Sequence, residues 1–280
     1  MGNNSIEIWA AACRLSFFKK GSEKVLAVER RSQIEQIIQK NKSVLVLELA
    51  KQFAVTTETI RGDLEKLERQ GVLIRTYGGA TLVEEGNEAD MSTHERESVN
   101  FEGKQKIGKC AADMVRDGET IFLDASTSSL HVARNIKNKR SVTVITNAER
   151  VVAELSQCEN IKVICTGGRL LHKNLSYEGR MVEETIRKYY YANKFFFSCV
   201  GLTLARGLTE HSESEAEIKK AMMDCSESSV FLCDRKKLGR MGVPVISTLD
   251  KIDCVITDIQ LDEEWIRALE ENDVKLRTVF

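Results

Sequence analysis

The run Thr120-Ile121-Phe122-Leu123-Asp124-Ala125-Ser126-Thr127-Ser128-Ser129 passes from an apolar strand pattern through small hydroxyl residues into a helical pattern. Backbone N–H groups at the opening turn of a helix, aided by Ser and Thr hydroxyls, make a site for a phosphate. Two further loops of similar character, Thr146-Asn147 and Thr166-Gly167-Gly168-Arg169, also follow apolar strands. In an open α/β fold such loops converge at the carboxyl edge of the sheet, where ligands bind. Singly, each reads more simply as a plain strand-to-helix turn; together they point to one shared site. Downstream, Cys233-Asp234-Arg235-Lys236-Lys237 brings in cationic groups. Carboxylates such as Asp124, Asp234 and Glu215 beside Lys237 would also suit proton abstraction next to a carbonyl, so the same residues leave a sugar-phosphate isomerase open.

A second set of polar residues lies nearer the N-terminus. Ile60, Leu64 and Leu67 recur at i, i+4 and i+7, so Thr57, Glu58, Arg61, Gly62 and Glu65 share the outward face of one helix. Thr56 is a good N-cap for it. Upstream, Ile34, Ile37 and Ile38 space a first helix that breaks at Asn41 to Ser43, and Val46, Leu47, Leu49, Ala50 and Phe53 form a second short apolar face. After Gly71, the run from Val72 to Ala80 reads as a strand, a glycine turn and a return, the shape of a β-wing. Three helices and a wing suit double-stranded DNA, because one helix enters the major groove while the wing and flanking helices hold phosphates. Arg61 could meet a base edge or a phosphate. Arg30, Arg31, Lys42, Lys51, Lys66, Arg69 and Arg75 add positive charge, but Glu29, Glu35, Glu48, Glu58, Asp63, Glu65 and Glu68 offset much of it. Charge alone therefore leaves a small helical protein-interaction domain as the alternative.

These two sets require separate scaffolds. At 280 residues the chain exceeds the roughly 100–200 residues of one typical domain, so two are expected. Residues 25–81 would be the winged helix-turn-helix domain. Residues 82–100, rich in Glu, Asn, Asp, Ser and Thr, would be a linker. Residues 101–280 would form an α/β domain, because apolar strands at Thr120–Asp124, Val142–Thr146, Lys162–Cys165, Lys194–Val200, Ser229–Cys233 and Ile252–Thr257 alternate with helical patterns at Lys104–Val115, Ser129–Ile136, Ala148–Leu155, Arg180–Tyr189 and Glu215–Cys225. The fold class is thus an α/β domain with a mostly parallel sheet, preceded by a small winged helix-turn-helix domain.

No apolar run approaches the roughly 20 residues of a membrane helix, so no membrane partner is expected. The formal net charge of -1 means that any nucleic-acid contact must rest on local basic patches. Eight scattered cysteines without a C-x-x-C pair, and four isolated histidines, argue against a structural metal. Cysteines inside apolar runs read as reduced core thiols of a cytoplasmic protein. No cofactor and no catalytic residue is assigned.

The runs Ala27-Val28-Glu29-Arg30-Arg31, Glu48-Leu49-Ala50, Val55-Thr56-Thr57-Glu58-Thr59-Ile60-Arg61-Gly62-Asp63-Leu64-Glu65-Lys66-Leu67 and Arg75-Thr76-Tyr77-Gly78-Gly79-Ala80 resemble the DeoR family of repressors in order and spacing. The loops around Asp124, with Gly207-Leu208-Thr209, Glu215, Glu217, Lys219 and the stretch from Cys233 to Arg240, resemble the C-terminal domain of the same family, which is similar in fold to ribose-5-phosphate isomerase. The resemblance implies a transcriptional repressor, at least dimeric, that binds double-stranded operator DNA and is released by a phosphorylated sugar. DNA contacts would come from Arg30, Lys51, Thr56, Thr57, Glu58, Thr59, Arg61, Gly62, Arg75 and Tyr77. The effector would be held by Asp124, Ser126, Thr127, Ser128, Thr146, Asn147, Gly167, Gly168 and Lys237. The chain departs from the family pattern at Gly62, where a second arginine is usual, at Ser126, where glycine is usual, and at Asn193, where aspartate is frequent. The resemblance begins abruptly at Leu26, with Val25 in the place of an initiator, so residues 1–24 read as translated upstream sequence; the alternative is a genuine extra helix.

Overall fold

The computed structural model describes residues 26–41, 43–69, 72–76, 78–82 and 91–280. The expectations for residues 1–24, Lys42, Tyr77 and most of the linker fall outside them.

In the N-terminal domain α1 spans Ala27–Asn41, β1 Ser43–Leu45, α2 Val46–Gln52 and α3 Thr57–Arg69, followed by the wing strands β2, Leu73–Thr76, and β3, Gly79–Leu82. β3 lies between β1 and β2 and pairs antiparallel with both. α3 starts where the sequence places its cap, since the Thr59 N–H donates to Thr56 Oγ1 at 3.2 Å. The core comprises Ile34, Ile38, Leu49, Ile60, Leu64, Leu67 and Leu73, all at most 2% exposed. Such side chains each stabilise a small domain by roughly 1.5–3 kcal/mol on burial. The β1 strand inserted between the first two helices was not expected, because three residues carry too little pattern to read.

A short helix α4, Thr93–Ser98, follows, with α5 at Phe101–Asp113. α4 opens on a capping box: the Glu95 N–H donates to Ser92 Oγ at 3.3 Å and the Ser92 N–H to Glu95 Oε2 at 2.6 Å. The Thr93 N–H and hydroxyl both donate to the Lys173 carbonyl, at 3.3 and 3.1 Å. This corrects the linker boundary of 82–100, since packing against the C-terminal domain begins by Thr93.

The C-terminal domain is built on seven parallel strands: β4 Thr120–Leu123, β5 Val142–Thr146, β6 Ile161–Cys165, β9 Lys194–Phe197, β12 Ser229–Cys233, β14 Cys254–Thr257 and β15 Lys275–Thr278. Their order is β15-β14-β12-β9-β4-β5-β6. The chain winds outward from β4 through β5 to β6, returns to the other side of β4 at β9, and then winds outward the opposite way. The carboxyl ends of β4 and β9 therefore flank the topological switch point, the place where α/β sheets bind ligands. Alternate residues feed the two faces. Ile121, Leu123, Val144, Phe196 and Val230 pack with α5, α6 (Thr127–Asn135) and α7 (Glu149–Leu155). Phe122, Phe195, Phe197 and Phe231 pack with α8 (Arg180–Tyr189), α9 (Glu213–Asp224) and α10 (Glu263–Glu271). The rings of Phe195 and Phe197 stack at 4.6 Å.

Two smaller antiparallel elements were not foreseen. β7, Arg169–Leu171, pairs with β8, Ser176–Glu178; β10, Gly201–Thr203, pairs with β11, Gly207–Thr209, which also pairs with β13, Val245–Ser247. Among the described residues no helix is long and apolar enough to cross a membrane, and no group of His, Cys, Asp and Glu could hold a metal ion.

Candidate effector cavity and nucleic-acid interface

At the switch point a cavity is lined by Ser126, Thr127 and Ser128 from the start of α6, Ser198, Cys199 and Val200 after β9, and Lys237 after β12, with Glu210, Glu215 and Lys219 from the β11–α9 region. Arg96 of α4 and Lys104 of α5 close it. Four cationic side chains thus share the lining with two carboxylates, while Asp124 beneath Lys219 and Asp234, 4.0 Å from Lys104, offset the charge of those two lysines, so Arg96 and Lys237 are the cations best placed for an anionic ligand.

Asp124 organises this floor. Its Oδ1 lies 2.6 Å from Ser126 Oγ and 2.5 Å from Ser129 Oγ and accepts the Ser126 N–H at 3.1 Å. Its Oδ2 accepts from Lys219 Nζ at 2.8 Å and from the Ser198 N–H at 3.2 Å. Asp124 is buried and spent on these groups, so it shapes the cavity from beneath. The Ser126 hydroxyl also accepts the Ser129 N–H at 3.1 Å, capping α6 and leaving the N–H groups of Thr127 and Ser128 to open the helix toward the cavity. The serine at 126 therefore supplies a cap, and its φ of -78° needs no glycine.

Lys219 lies 3.4 Å from Glu210 as well. Burial would push the Lys219 ammonium down, but Asp124, Glu210 and Glu215 together reverse this and hold its pKa above the usual lysine range. The Glu215 carboxyl is raised, by burial first and then by the charge of Glu210, while Asn174 donates to its Oε1 at 2.5 Å. Sequence reasoning gave Lys219 and Glu215 no committed part in the site and left out Glu210, Ser198, Lys104 and Arg96. Lys104, Lys219 and Glu210 are almost fully buried charges, a property that only the fold reveals.

Of the expected effector residues, Ser126, Thr127, Ser128 and Lys237 meet at the cavity, with Asp124 below. Four others do not, and each is corrected. Thr146 is fully buried; its hydroxyl donates to the Leu123 carbonyl at 2.7 Å and accepts the Ala148 N–H at 3.0 Å, so it ties β5 to β4. Asn147 donates to the Tyr177 carbonyl at 3.1 Å and accepts the Tyr177 N–H on its own carbonyl at 2.7 Å, fixing β8. Gly167 and Gly168 lie outside the cavity lining and serve a turn with φ of 68° and 115°. A Cβ on Gly168 would stand 2.5 Å from Val182 Cγ2, so the absent side chain is a packing requirement there.

In the N-terminal domain Thr57, Arg61, Arg75, Gly78 and Gly79 line one groove with Val46, Leu47 and Leu64. Arg61 is exposed and pairs with Glu58 at 2.8 Å. Arg75 is anchored by Glu68, which accepts its N–H at 2.9 Å and its Nε at 2.7 Å, so the wing is braced on α3. Thr56 and Thr59 form the cap, with hydroxyls 2.9 Å apart. Lys51 is exposed on α2 and is not part of the groove lining. A Cβ on Gly62 would meet no atom within 4 Å. Arg30 is corrected: it is buried, and its Nε lies 2.6 Å from Asp63 Oδ2, joined by Arg31 at 3.3 Å. It locks α1 to α3 and does not reach a DNA surface.

Residues 30–86 match the family model of the DeoR-like helix-turn-helix domain, and residues 99–259 match the DeoR C terminal sensor domain. The chain belongs to the DeoR family. It is 38% identical to an uncharacterised HTH-type transcriptional regulator of Bacillus subtilis, YulB, over 255 residues, covering 91% of this chain and 98% of that protein. It is 30% identical to the HTH-type transcriptional repressor GlcR of the same organism over 248 residues, 89% of this chain and 95% of that one. These relatives are regulators, so this DeoR-family chain is a DNA-binding transcriptional regulator and not an enzyme, which decides against the isomerase alternative. Among solved structures, ribose 5-phosphate isomerase A of Methanocaldococcus jannaschii matches with a TM-score of 0.37 and 18% identity over 50% of this chain and 55% of that one. A likeness that slight assigns neither site nor activity.

Proposed function

We propose that this DeoR-family regulator is a repressor that holds double-stranded operator DNA through α3 and the wing, and lets go when a phosphorylated sugar enters the cavity above Asp124. The observation that carries this reading is the open first turn of α6 at Ser126–Ser128, which shares one cavity lining with Lys237 and Arg96. The N–H groups and hydroxyls of Thr127 and Ser128 suit phosphate oxygens, and Lys237 adds a point charge. Lys219, Glu210 and Glu215 at the other wall offer the donors and acceptors that sugar hydroxyls need. Release follows by linkage: an effector that prefers one conformation of the sensor shifts the population away from the DNA-binding one. Symmetric operators call for paired readers, so the working form is at least a dimer. Free thiols at the described cysteines fit work in the cytoplasm.

Thermal-shift screening of the full chain against sugar phosphates and their unphosphorylated counterparts tests the reading, because a ligand that binds only the native state raises apparent stability. A shift restricted to phosphorylated sugars, and removed by Lys237→Ala, is expected. Equal shifts from unphosphorylated sugars would overturn it.

A further inference from the structure

Helix α4 joins the two halves of the chain, since residues 83–92 lead to it from the wing strand β3. Its side chains point two ways. Glu97 pairs with Arg134 of α6 at 2.7 Å and also with Arg150 of α7, so one carboxylate spans two sensor helices. Arg96 turns instead into the cavity. Its Nη2 donates to Asn174 Oδ1 at 2.9 Å and to Thr93 Oγ1 at 3.2 Å, while its carbonyl accepts from Lys104 Nζ, another cavity-lining group.

The Arg96 Nε–H is buried and has no hydrogen-bond partner, and among the described residues no carboxylate lies within 4.0 Å of the guanidinium. Arg134 and Arg150 nearby are paired with carboxylates, although Arg150 too keeps one buried Nη1 donor idle. A buried donor left idle costs free energy that a ligand acceptor would recover. Arg96 offers that Nε–H, with the guanidinium charge, to one oxygen of an anion, its Nη2 being held by Asn174 and Thr93.

We infer that Arg96 is an effector-binding residue that takes the anionic group of the ligand together with the α6 N-terminus, and so ties cavity occupancy to the helix leading from the DNA-binding domain. This rests on the effector reading above and adds a contact and a route to it. An anion drawn between Ser126–Ser128 and Arg96 pulls α4 toward α6 along the axis that Glu97 already clamps.

The test uses the full chain, its Arg96→Ala and Arg96→Lys variants, and Glu97→Gln. Inorganic phosphate, ribose 5-phosphate and fructose 6-phosphate serve as probes, with a duplex enriched by the wild-type chain from a random library. In wild type, a binding phosphate slows amide hydrogen exchange in residues 93–98 and weakens binding to the duplex. Arg96→Ala loses about tenfold or more in affinity for that probe, as expected for a lost charge-assisted contact, and it loses the change in exchange. Arg96→Lys, with charge but without the guanidinium Nε–H and its anchoring by Asn174 and Thr93, falls between them. Glu97→Gln retains probe binding but releases the duplex less readily. If the probes bind wild type and Arg96→Ala equally, with the same protection of 93–98, the inference about Arg96 is overturned while the effector reading survives. If no probe binds wild type, the effector reading fails and takes this inference with it.

Discussion

The DNA-binding domain buries Asp63 between Arg30 and Arg31 in the interior of its helices, whereas the sensor buries Lys219 among Asp124, Glu210 and Glu215 and leaves the cluster open to a cavity. In the first case the charges satisfy each other and fix the angle between α1 and α3. Side chains on the outer face of α3 can then stand in solvent, as Arg61 does. In the second case the charges hold a floor whose remaining valence faces inward, where a ligand can use it. A domain that reads a large external partner and one proposed to enclose a small ligand thus use buried charge differently.

Breaking the buried pair should have the largest effect. Asp63→Ala removes the buried carboxylate that both Arg30 and Arg31 approach, and removing one partner of a buried pair costs about 3–5 kcal/mol. Urea denaturation followed by helix signal from the N-terminal domain should show that loss; a change below about 1 kcal/mol would place the pair with exposed bridges of little energetic weight.

A third buried ionisable group sharpens the contrast, because it has no countercharge in contact. His131 on α6 packs edge-on against Phe101 at 5.1 Å, and burial, followed by the charge of Arg134, lowers its pKa to about 4. The unfolded chain binds that proton near pH 6.5, so between the two values unfolding takes up a proton and stability falls as pH falls. The sensor should lose about 2 kcal/mol between pH 7 and pH 5 from this group. His131→Phe should remove that part of the pH dependence, as measured by urea midpoints at the two pH values. An identical slope in the variant would assign the loss elsewhere.

Much of this was legible in the sequence, and the failures share a cause. Val142–Thr146, Ser229–Cys233 and Arg180–Tyr189 fall at their expected bounds, because central strands are continuous apolar runs and α8 has a strong helical period. The β15 edge strand and α10 were missed: Lys275–Thr278 is largely exposed and polar, with no buried run to find. Arg30 was misread as a surface cation although the signal was present. It precedes Ile34 and Ile38 at i, i+4 and i+8, and Asp63 falls among Ile60, Leu64 and Leu67 in the same way. Thr146 and Gly168 were assigned to the ligand because strand-end loops look alike in sequence, whereas which loops converge depends on the reversal between β4 and β9. Arg96 lay hidden in a polar stretch whose composition suggested a linker.

On the exposed side, Arg61→Ala should weaken binding to a selected duplex by about 1–3 kcal/mol if Arg61 reads a base, and weaken all duplexes alike if it holds a phosphate. Anisotropy titrations at fixed salt distinguish these, and unaltered affinity removes Arg61 from the interface. The smallest effect is expected at the next position. Open space at Gly62 lets Gly62→Arg fit without repacking, and an added phosphate contact should steepen the salt slope by about one unit. An unaltered slope would turn that face of α3 away from DNA.

The central claim is that the charged cavity of the sensor governs the hold of the other domain on DNA. Its most direct measurement is the anisotropy of a labelled, selected duplex bound by the full chain, titrated at fixed salt with sugar phosphates and with the same sugars lacking phosphate. Release by a phosphorylated sugar alone, and no release from Lys237→Ala with the same ligand, is the result predicted. Release of that variant at wild-type ligand concentrations would contradict it.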